Sequence, residues 1–215
     1  MNYNIYKWWI KNNGIDYVVS KKERSVNMKK INKMKKFYDS IKDCKKCPYG
    51  EKRNKFVFGE GNEDADIIFI GEGPGKDEDL KGRPFVGRAG KLLRKIIKEE
   101  NLNMNKVYIA NITKCRPFGN EDPRKEAVNS CLPYLEKQIE IIEPNIIATL
   151  GRVPGRILTS RKNLKITKEH GQIDKFFNTP VLLMYHPSYL LRNRGGKRMR
   201  EFRNDLNKLK KYIGK

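Results

Sequence analysis

The side chains with the plainest chemistry here are four cysteines, two histidines and several glycine-rich turns. Cys44 and Cys47 are two residues apart, so both thiolates can reach one metal, and Cys115 and Cys131 complete the set. Four thiolates suit either tetrahedral zinc or an iron–sulfur cluster, and the spacing alone does not separate them. Either would clamp the N-terminal region to the segment around Cys115. Gly71-Glu72-Gly73-Pro74-Gly75 follows an apolar run, a position that suits anion binding, yet it is neither a P-loop nor a dinucleotide fingerprint. His186 opens His186-Pro187-Ser188-Tyr189-Leu190-Leu191-Arg192. A histidine beside a Pro-Ser turn, with two leucines and an arginine, is unusual for a plain loop; the alternative is a capped helix start with both leucines in the core. His170 lies in a polar Lys168–Gln172 stretch and reads as an exposed loop residue.

Four apolar runs have strand character: Asp66–Ile70, Val107–Ile112, Asn145–Leu150 and Val181–Tyr185. Between them lie helical periodicities over Gly87–Glu100, Arg124–Glu143 and Arg198–Ile213. Strands alternating with helices predict an α/β fold, a parallel sheet covered on both faces. Ligands of such sheets bind beyond the carboxyl ends of the strands. Gly71–Gly75, Asn111, Gly151-Arg152 and His186–Ser188 would therefore meet on one rim.

The chain has 215 residues, 38% of them hydrophobic, enough for one core. Residues 1–27 read as an N-terminal extension and 28–215 as one domain, with a lysine-rich helical stretch from Met28 to the first cysteine. A formal charge of +22 destabilises a compact fold unless a polyanion partners it. Nucleic acid is the first choice; without a long apolar run a membrane is not expected. The alternative is lysine enrichment through biased base composition. The first residues lack the pattern of a secretory signal, which predicts a cytoplasmic protein. In a reducing compartment the cysteines are expected as metal ligands rather than disulfides.

In order along the chain, GEGPGKDED, GRPFVGRAG, NITKCRP and HPSYLLR, with the four cysteines interleaved, resemble the family 4 uracil-DNA glycosylases, the iron–sulfur branch of that superfamily. The resemblance runs from about Cys44 to the C-terminal helix. It implies a three-layer α/β/α sandwich around a four-stranded parallel sheet, and a [4Fe-4S] cluster on Cys44, Cys47, Cys115 and Cys131. It also implies hydrolysis of the uracil N-glycosidic bond in DNA, the first step of base excision repair.

On that resemblance Phe85 stacks on a flipped uracil, Asn111 reads its edge, and His186 with backbone N–H groups near Gly73 stabilises the leaving anion. Where better-known uracil glycosylases carry an aspartate after the residue matching Glu72, this chain has Gly73. The candidates for positioning water are then Glu72, ranked first, Glu78 and Asn120. Leu190 and Leu191 include the wedge that fills the vacated stack. Ser188, Gly151-Arg152, Arg192, Arg194, Lys197 and Arg198 suit phosphates. Uracil-containing DNA is the expected partner and a monomer the expected state; a repair or replication partner such as a sliding clamp is not readable.

Two rival readings have less support. A relative that traps the sugar covalently through a histidine in a basic insert is disfavoured, because the segment between Cys115 and Cys131 has no histidine and no long insert. A non-enzymatic, metal-stabilised nucleic-acid module leaves Phe85, Asn111 and His186 unexplained.

Overall fold

The computed structural model describes the backbone of residues 21–193 and 196–214, with side chains from Met28 onward. The expected extension falls outside these residues as far as residue 20, as does Arg194; the 27/28 boundary lies within the first described helix. In chain order the helices and strands are α1 (Lys21–Ile41), α2 (Pro48–Lys52), β1 (Glu60–Gly61), β2 (Ile67–Gly71), α3 (Lys76–Lys81), α4 (Arg88–Glu99), β3 (Val107–Asn111), α5 (Lys125–Ile142), β4 (Ile146–Leu150), α6 (Arg152–Thr159), α7 (Ile166–Glu169), β5 (Ile173–Phe176), β6 (Thr179–Met184), α8 (Pro187–Arg192) and α9 (Gly196–Leu209).

One sheet of order β1-β3-β2-β4-β6-β5 carries the fold. Its centre, β3-β2-β4-β6, is parallel and consists of the four expected runs. The four-stranded expectation is corrected by two antiparallel edge strands, β1 on β3 and β5 on β6. Both escape pattern reading for a physical reason. Strand β1 is two residues long, and β5 alternates exposed and half-buried positions with no buried run.

The period-two alternation of side chains sorts the core. On one face Ile68, Ile70, Ile147, Val181 and Leu183 pack with Met34 of α1 and Leu135, Ile139 and Ile142 of α5. On the other Ile67, Phe69, Ala148, Leu182 and Met184 pack with Leu93, Ile96 and Ile97 of α4 and Phe202, Leu206 and Leu209 of α9. Every residue of β2, β3 and β4 is buried, as a parallel sheet covered on both faces requires. The strands therefore end together, on a rigid rim. Among the described residues no helix is long and apolar enough to cross a membrane.

Candidate active site

The last register pair of β2 and β3 is Gly71 with Asn111. A Cβ on Gly71 would lie 2.5 Å from Asn111 Oδ1 and 2.6 Å from the Phe85 ring, so only glycine lets the three meet. Phe85 is buried and has φ of 52°, a conformation costly for an aromatic residue and typical of residues held for a purpose. Its ring centroid is 5.9 Å from that of His186. Across the rim Gly151 has φ of 103°, and a Cβ there would come within 3.0 Å of His186 Cβ. Phe85, Asn111 and His186, three residues far apart in sequence, thus converge at the strand ends. Asn111 is buried, and among the described residues its Oδ1 has no hydrogen-bond partner.

His186 is the N-cap of α8, with Pro187 at the first helical position. Its Nδ1 accepts from the Ser188 backbone N–H at 3.1 Å and lies 2.7 Å from the Ser188 hydroxyl. A backbone donor aimed at Nδ1 places the imidazole proton on Nε2. Burial, then the charge of Arg192, pushes the imidazole down to about 4. At neutral pH the site therefore offers a neutral Nε2–H.

Glu72 follows β2. Burial, then Asp122, raises its carboxyl to about 7, with Arg152 opposing. Gly73 lies against Thr113: a Cβ there would be 2.6 Å from the Thr113 hydroxyl.

Several sequence candidates do other work. Glu78 accepts from the N–H groups of Gly75, Val86 and Gly87 at 3.1, 2.9 and 2.8 Å. Its carboxylate thus pins the Phe85 loop to the glycine-rich turn. Asn120 is exposed and accepts from Arg116 Nε at 2.9 Å; no contact brings it to the pocket. Leu190 is only 2% exposed and packs in the α4–α9 core, whereas Leu191 is half-buried. Ser188 is committed to His186, Arg152 pairs with Asp122, and Arg198 bonds Tyr185 and Glu201. Arg192 and Lys197 are exposed.

His170 also departs from expectation. Its side chain is 18% exposed, its Nδ1 lies 2.7 Å from Asp205 Oδ2, and its ring stacks on Tyr185 at 4.3 Å. Polar neighbours in sequence masked a partner that α9 supplies from 35 residues away.

The four cysteines are free thiols. Cys115 senses the charges of Cys131 and Cys47, and Cys131 those of Cys47 and Cys44. Burial pushes Cys115 up to about 12; a bound cation would reverse that by stabilising thiolate. Hydrogen-bond donors already surround the sulfurs, with Arg53 Nη1 3.4 Å from Cys115 and the Tyr134 hydroxyl 3.3 Å from Cys44. Among the described residues no three His, Cys, Asp or Glu side chains form a ready site for a single ion. Sequence reading passed over Lys114, which is fully buried beside Cys115 and donates to the Asn111 carbonyl oxygen. The one available signal was a lysine inside the otherwise uncharged run from Val107 to Cys115.

The sequence has counterparts. Residues 58–210 match the model described as the uracil DNA glycosylase superfamily. A type-4 uracil-DNA glycosylase of Thermotoga maritima is 43% identical over 178 residues, 82% of this chain and 93% of the relative. Another, of Archaeoglobus fulgidus, is 38% identical over 81% of this chain and 90% of the relative. A third, of Sulfurisphaera tokodaii, is 41% identical over 76% and 78%. The chain belongs to the uracil DNA glycosylase superfamily and, within it, to the type-4 uracil-DNA glycosylases.

Proposed function

We infer that this chain excises uracil from DNA, hydrolysing the N-glycosidic bond to leave an abasic site. The observation that carries the reading is the buried, unpartnered Oδ1 of Asn111 beside the Phe85 ring. Leaving such an acceptor unpaired costs about 1–3 kcal/mol, and uracil N3–H would pair it. The amide N–H of the same side chain would donate to O4. Cytosine presents an acceptor at N3 and a donor at C4, so an amide held in this orientation rejects it.

The base must leave the duplex to reach this pocket. Phe85 stacks on its face. As the C1′–N1 bond breaks, its electron pair passes to the uracil ring and charge collects on O2. The Nε2–H of neutral His186 and backbone N–H groups near Gly73 meet that charge. Water adds to C1′ and its proton passes to Glu72. Leu191 fills the vacated stack. The backbone at Gly151-Arg152 and the side chain of Arg192 hold phosphates. One chain supplies the whole pocket, which supports action as a monomer, and we place the activity with DNA in the cytoplasm. Alkali-induced cleavage tests the reading: strands containing uracil should be cut after incubation, and thymine- or hypoxanthine-containing controls should stay intact. An intact uracil strand would overturn it.

The role of Glu72 has a pH signature. His186 stays neutral down to about 4, while the Glu72 carboxyl is held near 7, so a Glu72 base gives the rate an acid limb near 7. The single-turnover rate should fall about tenfold per pH unit below 7. Glu72→Gln should remove that limb and lower the plateau on the order of a hundredfold. A native carboxyl pKa raised from 4.5 to about 7 means the fold favours the protonated form. Its stability contribution is complete below 4.5 and is lost as pH rises through 7. Glu72→Gln should therefore raise the melting temperature at pH 8. A wild-type rate that stays flat from pH 5.5 to 8.5 would remove Glu72 as the base.

Four free thiols sharing one electrostatic neighbourhood, with N–H and O–H donors around them, suit a [4Fe-4S] cluster held by Cys44, Cys47, Cys115 and Cys131. Bound there it would supply cross-linking of the segment between α1 and α2, α5 and the segment after β3. The purified protein should be brown with about four irons per chain; stoichiometric zinc without visible absorbance would contradict this. Cys44→Ala should lower stability first and activity only as a consequence.

A further inference from the structure

We propose that Lys114 is a positioning residue that joins the cysteine centre to the base-reading end of β3, an inference that rests on Asn111 as the uracil reader. Lysine is almost never fully buried without a charged partner, yet Lys114 is 0% exposed. Its Nζ donates to the Asn111 carbonyl oxygen at 2.9 Å and to Gln138 Oε1 at 2.6 Å. Gln138, on α5, in turn donates to the Phe58 carbonyl oxygen at 3.0 Å and the Tyr108 hydroxyl at 3.3 Å.

The main chain of the same residue faces the other way. It is peptide-bonded to Cys115, its backbone favours the Cys131 thiolate, and its carbonyl oxygen accepts from Val57 N–H at 2.9 Å. Lys114 therefore touches a cysteine with its backbone and the strand end with its side chain.

The geometry explains why a polar link stands where an apolar side chain would be easier to bury. Strand β1 pairs with β3 only at Tyr108 and Ile109, so it does not reach Asn111. The Lys114 amino group takes over as the donor to the Asn111 carbonyl oxygen and fixes that peptide plane. The peptide plane sets where the Asn111 side chain points. A side-chain amide that must tell uracil from cytosine gains from such a constraint, because a rotated amide reads the wrong edge.

The test compares Lys114→Met, similar in length but unable to donate, with Ile139→Val, a mild packing change in α5. Free uracil serves as a competitive probe of the pocket. In Lys114→Met the inhibition constant for uracil should rise about tenfold, with affinity for uracil-free DNA and metal content unchanged; Ile139→Val should move none of these. The Asn111 side-chain amide resonance, assigned by its loss in Asn111→Asp, should shift in Lys114→Met alone. Gln138→Met should give a smaller change of the same sign and serves if Lys114→Met does not fold. An unmoved Asn111 resonance, or a uracil inhibition constant within about twofold of wild type, overturns the proposal. If the wild-type protein neither binds nor excises uracil, the functional reading fails, while the resonance still decides whether Lys114 positions Asn111.

Discussion

Replacing His186 with alanine should slow uracil excision on the order of a hundredfold to a thousandfold in single turnovers. The reason lies in what the structure makes of the imidazole. Burial keeps it neutral, and Ser188 occupies Nδ1, so Nε2–H is the one donor left to face a ligand. That donor is most useful when charge appears on uracil O2, late in bond breaking, so its loss raises the barrier more than it weakens binding. Affinity for uracil-containing DNA should stay within a few-fold of wild type. The deficit should also be nearly constant from pH 6 to 9, because a group titrating at about 4 does not change state in that range. A His186→Ala variant with the wild-type single-turnover rate would exclude the proposed mechanism even if the enzyme proved to be a glycosylase.

Asn111→Asp should cost more, on the order of a thousandfold or above, because a site built around a specific hydrogen-bond pattern discriminates steeply. The carboxylate keeps two acceptors and loses the donor to O4. It also adds negative charge where an anion must depart. The pocket is closed to solvent at this point, since Asn111 is buried among Gly71, Phe85 and the sheet. Burial would raise the new carboxyl's pKa and relieve part of the repulsion, but the missing amide donor is not restored. Binding to uracil-free DNA should be unchanged, because phosphate contacts carry that affinity. Measured side by side, unaltered excision by Asn111→Asp would take Asn111 out of the pocket.

The central sheet and the rim were legible because their signals are local. Four apolar runs of strand length, each followed by glycine or a polar residue, marked both the strands and the rim on which Asn111 and His186 lie. Strands β1 and β5 were not legible: pairing at a sheet edge is decided by a neighbour rather than by apolar periodicity. The partners of Glu78 and His170 were not legible for a related reason. A carboxylate that accepts from three backbone N–H groups and a histidine held by Asp205 depend on partners the linear pattern does not bring together. Leu190 and Leu191 were indistinguishable in sequence; the helical turn begun by Pro187 sends the first into the core and leaves the second half-buried. Lys114 was missed because a lysine is ordinarily read as surface.

The most direct measurement is the position of uracil in a crystal of the wild-type protein grown with the free base. The account predicts uracil stacked on Phe85, its N3 within hydrogen-bond distance of Asn111 Oδ1 and its O2 facing His186 Nε2. Uracil bound elsewhere, or Asn111 Oδ1 paired to a protein donor while the base sits in the pocket, would contradict it.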